Sequence, residues 1–439
     1  MQFLYLILSI YFGRKNPLYY LIFPIALVSG PGAFIDPRTV LIASDLFLFG
    51  KNIYKDVIII YLLFIVFALR KQWSINLILK TPMLLYGLFI LVLVLFTFAV
   101  SGTRYESINV MRLFIYMVLG YFLLLLIFST ANKSQFVSFI NLLFVATGIL
   151  SVFYVINSAK IFPIFYQENL YLEIDVGQVS FYRDFNTIPY FSHLLFILAF
   201  SLTFFKSKDF NRIAISFILV TYPFVLLYTF TRSFLATTII ECTIIILILV
   251  IKRPSRFFKT STFLIALSCL LIFWIVSTKF ARQLDYFKQR VESVKSGGTQ
   301  EENVQIRVAY HLKAFEILDE NHCLLLGGGI NKKYEPEMAR IGAWTADSTI
   351  PFFLIYTGII GGLFYYFVGL YFIFRTISCL KKQFNPFSLA LLAIMLSSLF
   401  SSLLMGGYSW GDPFVFFPFV LVVTIENLID KEDTFMILS

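Results

Sequence analysis

Charge is scarce in this chain. Only 14% of its 439 residues are Asp, Glu, Lys or Arg, against 59% hydrophobic and 19% aromatic. A soluble protein of this length needs more polar surface, so the composition excludes an ordinary globular domain. Histidine and cysteine are scarce too, at three and four residues. Cys242, Cys269, Cys323 and Cys379 are scattered without metal-ligand spacing, and three lie in or beside apolar segments, which argues against a disulfide framework. No His/Cys/Asp/Glu cluster has the spacing of a metal site. A phosphate loop of the form GxxxxGK(S/T) is missing, so ATP is not the evident energy source, and no nucleophile elbow occurs. Internal repeats and low-complexity tracts are absent as well.

What is present is a series of long apolar runs, at roughly 2–12, 17–35, 53–69, 83–100, 110–128, 136–156, 188–205, 213–230, 233–251, 262–278, 349–374, 386–405 and 412–428. The fold class they predict is an all-α polytopic integral membrane protein of about twelve transmembrane helices. The first run is short for a span, and Gln2 to Phe12 lacks the basic flank and small-residue cleavage site of a removable signal peptide. Connecting segments that are short and basic, carrying for example Arg14, Lys133, Arg212, Arg253, Lys381 and Lys382, alternate with the others. The positive-inside rule puts them in the cytoplasm and assigns the +10 net charge to membrane topology, with no nucleic acid as partner. The opposite face receives 157–187, a tight turn at Thr231-Arg232, and a large loop at 279–348. The chain thus divides into a helix bundle at 1–278, the outer loop at 279–348, and C-terminal helices with a short tail at 349–439. Within the loop, Val304, Val308, Leu312, Phe315 and Leu318 recur at helical spacing, and "LGGG" at 326–329 ends that helix.

The outer face also gathers positive charge. Arg232 opens an apolar segment, where it serves either as an interfacial anchor or as an anion ligand. Glu241 lies nine residues further in, as a functional carboxylate or a structural hydrogen-bonding group. Arg307 and His311 share a face of the loop helix, one turn apart. Arg183 and Asn186 precede a helix N-terminus, a position suited to anions. His193, two turns further in, reads as a hydrogen-bonded interior residue. With Lys332 and Lys333, the arginines suggest a phosphate-bearing ligand at the membrane boundary, because the guanidinium fork matches phosphate. Asp347 in "TADSTIPFFLIYTGIIGG" is the neighbouring carboxylate, a salt-bridge partner or a proton acceptor. Tyr182, Trp344, Tyr408 and Trp410 suit either an aromatic belt or sugar stacking.

Three stretches resemble the superfamily of O-antigen ligases and Wzy-type polysaccharide polymerases: "TRSFLAT" (231–237), "IRVAYHLKAFEILDENHCLLLGGGINKKY" (306–334) and "DSTIPFFLIYTGIIGG" (347–362). The resemblance implies a bacterial inner-membrane glycosyltransferase with its active site facing the periplasm. Its donor and acceptor would be oligosaccharides on undecaprenyl diphosphate, with a chain-length regulator as a further partner. Neither a cofactor nor a metal is implied. Carried over, Arg232 and Arg307 bind the diphosphate, Arg183 matches less closely, and Asp347 accepts the proton or orients the sugar. Ligases of the family keep a His-Asn pair where this chain has Asp347-Ser348, counting back from Gly358. That departure favours a polymerase over a ligase. A flippase or anion transporter is the alternative from another class.

Overall fold

A computed structural model describes residues 2–28, 47–48, 51–52, 54–70, 72, 76–79, 81–101, 105–158, 171–176, 179–184, 188–205, 209–229, 232–254, 302–330, 334, 349–404, 414 and 416–431. Its helices are α1 (Gln2–Gly13), a 3-10 turn (Pro17–Leu21), α2 (Ile22–Val28), α3 (Tyr54–Ala68), α4 (Asn76–Leu79), α5 (Met83–Ser101), α6 (Tyr105–Ser129) and α7 (Lys133–Ser158). They continue with α8 (Ile188–Thr203), α9 (Arg212–Thr229), α10 (Arg232–Lys252), α11 (Glu302–Glu320), α12 (Thr349–Lys382), α13 (Pro386–Leu404) and α14 (Phe417–Lys431). These follow the apolar runs closely; the run at 262–278 lies outside the described residues. Among the described residues four helical stretches are long and apolar enough to cross a membrane: Val110–Ser129, Lys133–Ile156, Leu235–Lys252 and Phe353–Lys382. Further apolar helices are shorter.

Asparagine starts several of these helices at the basic connections. Asn132 and Gln135 form a reciprocal capping box on α7, each side chain accepting the other's backbone N–H at 2.9 and 3.0 Å. Asn211 accepts the N–H groups of Ile213 and Ala214, and Asn385 accepts that of Ser388. Asn16 caps the 3-10 turn in the same way.

The basic connections also meet one another. The Asn16 side-chain amide donates to the Gln135 carbonyl at 2.8 Å, and that of Asn141 donates to the Asp209 carbonyl at 3.2 Å. The Ser201 hydroxyl donates to the carbonyl of Pro386. Arg253 lies over the rings of Phe205 and Phe384, and Lys382 donates to Asp430. One end of the bundle therefore collects the positive connections, as strict alternation requires.

Packing separates an inside from an outside. α13 lies between α12, α10 and α8, and its residues from Phe387 to Met395 are buried almost without exception. A helix apolar all round is stable only when enclosed, so α13 is the axis of this half. α3 and α5 instead expose Phe64, Phe67, Leu91 and Val92. In water such surfaces would be an aggregation hazard; against lipid they are the expected exterior.

The described residues are overwhelmingly helical, as the all-α expectation has it, with two short hairpins as the exception. Two antiparallel hairpins interrupt the helices, β1 (Phe47–Leu48) with β2 (Lys51–Asn52) and β3 (Tyr171–Val176) with β4 (Val179–Asp184). The second is written in "YLEIDVGQVSFYRD", where side-chain character alternates about a Gly-Gln dipeptide of the kind that turns hairpins. Its period of two was masked by the strength of the helical runs on either side.

Candidate functional site

The hairpin returns to the bundle only a few residues before α8, at the end away from the basic connections, and β4 packs against α7 and α9. Its register pairs Leu172 with Arg183, Ile174 with Phe181 and Val176 with Val179. Those six positions share one face of the ribbon, while Tyr171, Glu173, Asp175, Ser180, Tyr182 and Asp184 share the other. Position 183 thus falls in register with the apolar positions 172, 174 and 181. Asn186 lies outside the described residues.

α11 carries the next candidate. Its packed line contains Tyr310, Ala314, Ile317 and Leu318, which are nearly or fully buried. His311 is half-buried. Position 307 is four residues before His311 and seven before Ala314, so by helical register it falls on the packed line. The apolar stripe expected to face the core does something else: Val308, Leu312 and Phe315 are exposed, and of that stripe's described side chains only Leu318 is buried. The helix has two apolar edges, and period alone cannot tell which one the bundle covers.

Arg232 is the first residue of α10. The helical register sets this position in line with Ile239, Thr243 and Val250, on the exposed side, whereas Thr237, Thr238, Glu241, Ile245 and Leu249 are buried. Glu241 is nine residues on, half a revolution round the helix. Positions 232 and 241 therefore face opposite ways.

The sequence around Gly358 supplies the joint between loop and bundle. α12 breaks at Gly358, whose φ of 65° and ψ of −169° lie outside helical space. Ile359 and Ile360, freed from their intrahelical acceptors, donate instead to the carbonyls of Leu324 and Leu325 at 3.0 and 3.1 Å. Gly328 donates back to the Ile355 carbonyl at 2.8 Å. Backbone meets backbone so closely that a β-carbon on Gly358 would stand 2.3 Å from the Leu325 oxygen, and one on Gly327 would stand 2.5 Å from the Gly358 nitrogen. Only glycine on both sides permits this approach. Ile330 then donates to the Thr97 hydroxyl of α5 at 3.0 Å, tying the same turn to a third element. The "LGGG" run is thus a docking element as well as a helix stop. α12 begins at Thr349, nine residues or about two and a half turns before this joint. Asp347, Lys332 and Lys333 themselves lie outside the described residues.

A buried polar chain runs beneath these positions. The His193 Nδ1 lies 2.6 Å from the Tyr222 hydroxyl and 3.2 Å from that of Thr238. Its Nε2 lies 2.8 Å from Glu241 Oε2, an approach out of line for a straight hydrogen bond, so the pair is a close polar contact rather than an aligned bond. The other Glu241 oxygen accepts from the Ser397 hydroxyl. Four helices, α8, α9, α10 and α13, are joined by this chain, and both ionisable members are essentially unexposed. That agrees with the interior role read for His193 and gives Glu241 a structural partner.

One further charged pair has no local signal in the sequence. Arg112 on α6 pairs with Asp56 on α3, and Tyr116 bonds to the same carboxylate. Arg112 was concealed because it follows "SINVM" inside an otherwise apolar run and has no local acid; its partner is 56 residues away. Among the described residues no group of three His, Cys, Asp or Glu could hold a metal ion.

No protein-family model matches this chain, and no curated protein matches it.

Proposed function

We propose that the protein is a polytopic polysaccharide polymerase of the bacterial inner membrane, with about twelve spans and its catalytic face in the periplasm. It would transfer a glycan from undecaprenyl diphosphate to the terminal sugar of a second lipid-linked repeat unit. The observation that carries this reading is the junction at Gly358. The two longest stretches of resemblance, 306–334 and 347–362, are separate in sequence, yet they are bonded to each other backbone to backbone. A loop that merely linked two spans would need no such fixed attachment, whereas a catalytic face needs rigid placement of its charges.

In this mechanism a hydroxyl of the acceptor sugar attacks the donor's anomeric carbon, and the lipid diphosphate departs with the bonding pair. Negative charge grows on the leaving phosphate. Arg307, at a position on the packed line of its helix by register, and Arg183 on the hairpin would supply guanidinium groups for it. Arg232, at a position on the lipid side of α10, would meet a diphosphate that arrives from the bilayer. Asp347 accepts the proton of the attacking hydroxyl or holds the sugar. Asn186, His311, Lys332 and Lys333 complete the substrate-binding set, and a chain-length regulator would act on the same face.

The deciding experiment reconstitutes the protein with purified lipid-linked repeat units and no added metal. Polymer should form, and Arg307→Ala should slow it about a hundred- to a thousandfold. Normal polymer from Arg307→Ala would remove the charge-stabilisation mechanism. Transfer of finished glycan to a non-repeat acceptor would turn the assignment to a ligase. A second reading has its own support: a broken helix and a buried His–Glu pair are transporter features. A leaflet-resolved assay showing that lipid-linked donor crosses the membrane only when this protein is present would establish it.

A further inference from the structure

We infer that α11 is an interfacial helix, seated in the lipid of the leaflet it faces rather than held in water above the membrane. The position of the joint sets its depth. Arg375, bonded to Glu426, together with Lys381 and Lys382, marks one polar boundary of α12. About twenty residues span the hydrocarbon layer, which from Phe374 reaches back to the vicinity of Ile355. Gly358 and the turn docked on it therefore stand at the opposite rim of the apolar layer, where headgroups begin. A segment fixed by three backbone hydrogen bonds at that rim has no freedom to lift into solvent.

The outward surface of this segment is largely apolar, with Glu316, paired to Lys313 at 3.0 Å, as the charged residue beside Leu312. Leu312 is 65% exposed and Leu325 is 63% exposed, with Val308, Phe315 and Leu326 also exposed. This surface is continuous with the side of α12 that faces away from the bundle. Leu325 bonds to Ile360, which is itself exposed, and below it Leu363, Phe367 and Phe374 carry the same surface down the span. The membrane-facing stripe of α12 thus extends onto the loop. Acidic Asp319 and Glu320 close the helix at its exposed C-terminal end, among the headgroups. An amphipathic helix with one edge packed on protein and the other edge leucine- and phenylalanine-rich is built to lie in the interface. The occupant of that second edge is bilayer acyl chain.

The test places a nitroxide at Leu312→Cys and Leu326→Cys, in full-length protein whose native cysteines are replaced, reconstituted in nanodiscs. Leu363→Cys is the lipid reference and Lys381→Cys the water reference. Collision with oxygen should exceed collision with a water-soluble nickel chelate at 312 and 326, as at 363, with the ratio reversed at 381. Nickel collision at 312 equal to that at 381 would put the face in water and overturn the inference. Low collision with both reagents would mean that protein covers it, with the same consequence. In the chain with its native cysteines, a diazirine amino acid at position 312 gives an independent reading. Lipid adducts are expected, and exclusively water or protein adducts would refute the seat in the bilayer.

Discussion

Replacing Gly358 by alanine should release the loop from the bundle without unfolding the bundle. The backbone at 358 has φ 65° and ψ −169°, a region that residues with a β-carbon occupy at a cost of about 1–3 kcal/mol. Sterics add to this, because the new methyl would lie 2.3 Å from the Leu325 oxygen and 2.4 Å from the Gly327 nitrogen. Both are backbone atoms, so no side-chain rotation relieves the clash. Relief requires the turn to move, and movement breaks the bonds from Ile359 and Ile360 to Leu324 and Leu325. Each is worth about 1 kcal/mol net. Those bonds are lost in the undocked loop of either protein, so the change in the balance is the strain carried by the docked loop, about 1–3 kcal/mol, or about five- to 150-fold.

Cys323 reports that balance, since it is half-buried beside the joint, with its sulfur 3.6 Å from the Tyr334 hydroxyl. In nanodisc-reconstituted protein, a hydrophilic maleimide should modify Cys323 slowly in the wild type and far faster in Gly358→Ala, and protease cleavage between 321 and 330 should accelerate in parallel. Gly362→Ala is the control, because a β-carbon there meets nothing within 4 Å. Equal Cys323 reactivity in wild type and Gly358→Ala would refute the docking argument, as would an equal effect of Gly362→Ala.

Further outcomes follow from the same geometry. Glu241→Ala should lower the detergent melting transition by the equivalent of about 3 kcal/mol, since it strands His193 and Ser397, while Glu241→Gln should retain most of the stability; equal effects would mean that the carboxylate's charge matters more than its hydrogen bonds. Arg112→Met should leave Asp56 and Tyr116 to rearrange, with a stability loss of about 1–3 kcal/mol measured in the same melt, and an unchanged melt would show that the pair contributes nothing to stability. In the polymer assay Arg307→Lys should rescue poorly, because an ammonium lacks the two-pronged fork, whereas full rescue would point to simple charge. Arg232→Ala separates its two roles, since an anchor leaves polymer intact and a diphosphate ligand does not. Asp347→Asn should cost about a hundredfold in rate if Asp347 is the base, and near-normal turnover would remove that assignment.

The sequence made the helices legible because each apolar run is long enough to need enclosure or lipid, and the asparagine caps lie where the runs begin. It made the grouping of basic connections legible through alternation alone, and their mutual contacts at one end follow. Three features were not legible, each for a different reason. The hairpin at 171–184 has alternation too short to stand out between longer signals. The orientation of α11 is undetermined by period when both edges are apolar, and tertiary packing decided it. The Arg112–Asp56 and His193–Glu241 pairs join residues 56 and 48 positions apart, and no local pattern encodes such contacts.

The glycines show where local and long-range information meet. In sequence, "LGGG" and "GIIGG" each read as ordinary punctuation, one a helix stop and the other a set of small residues within a span. Together they form one joint, because each relieves the other's steric problem: Gly327 makes room for the backbone of 358, and Gly358 makes room for the backbone of 325 and 327. The break leaves two N–H groups without helical acceptors, and the loop supplies the carbonyls that replace them. Stability of the span and placement of the loop are thus the same set of bonds. A change that loosened the loop to alter what it binds would also leave polar backbone unsatisfied at the membrane rim. This couples the geometry of α11, and with it positions 307 and 311, to the integrity of α12.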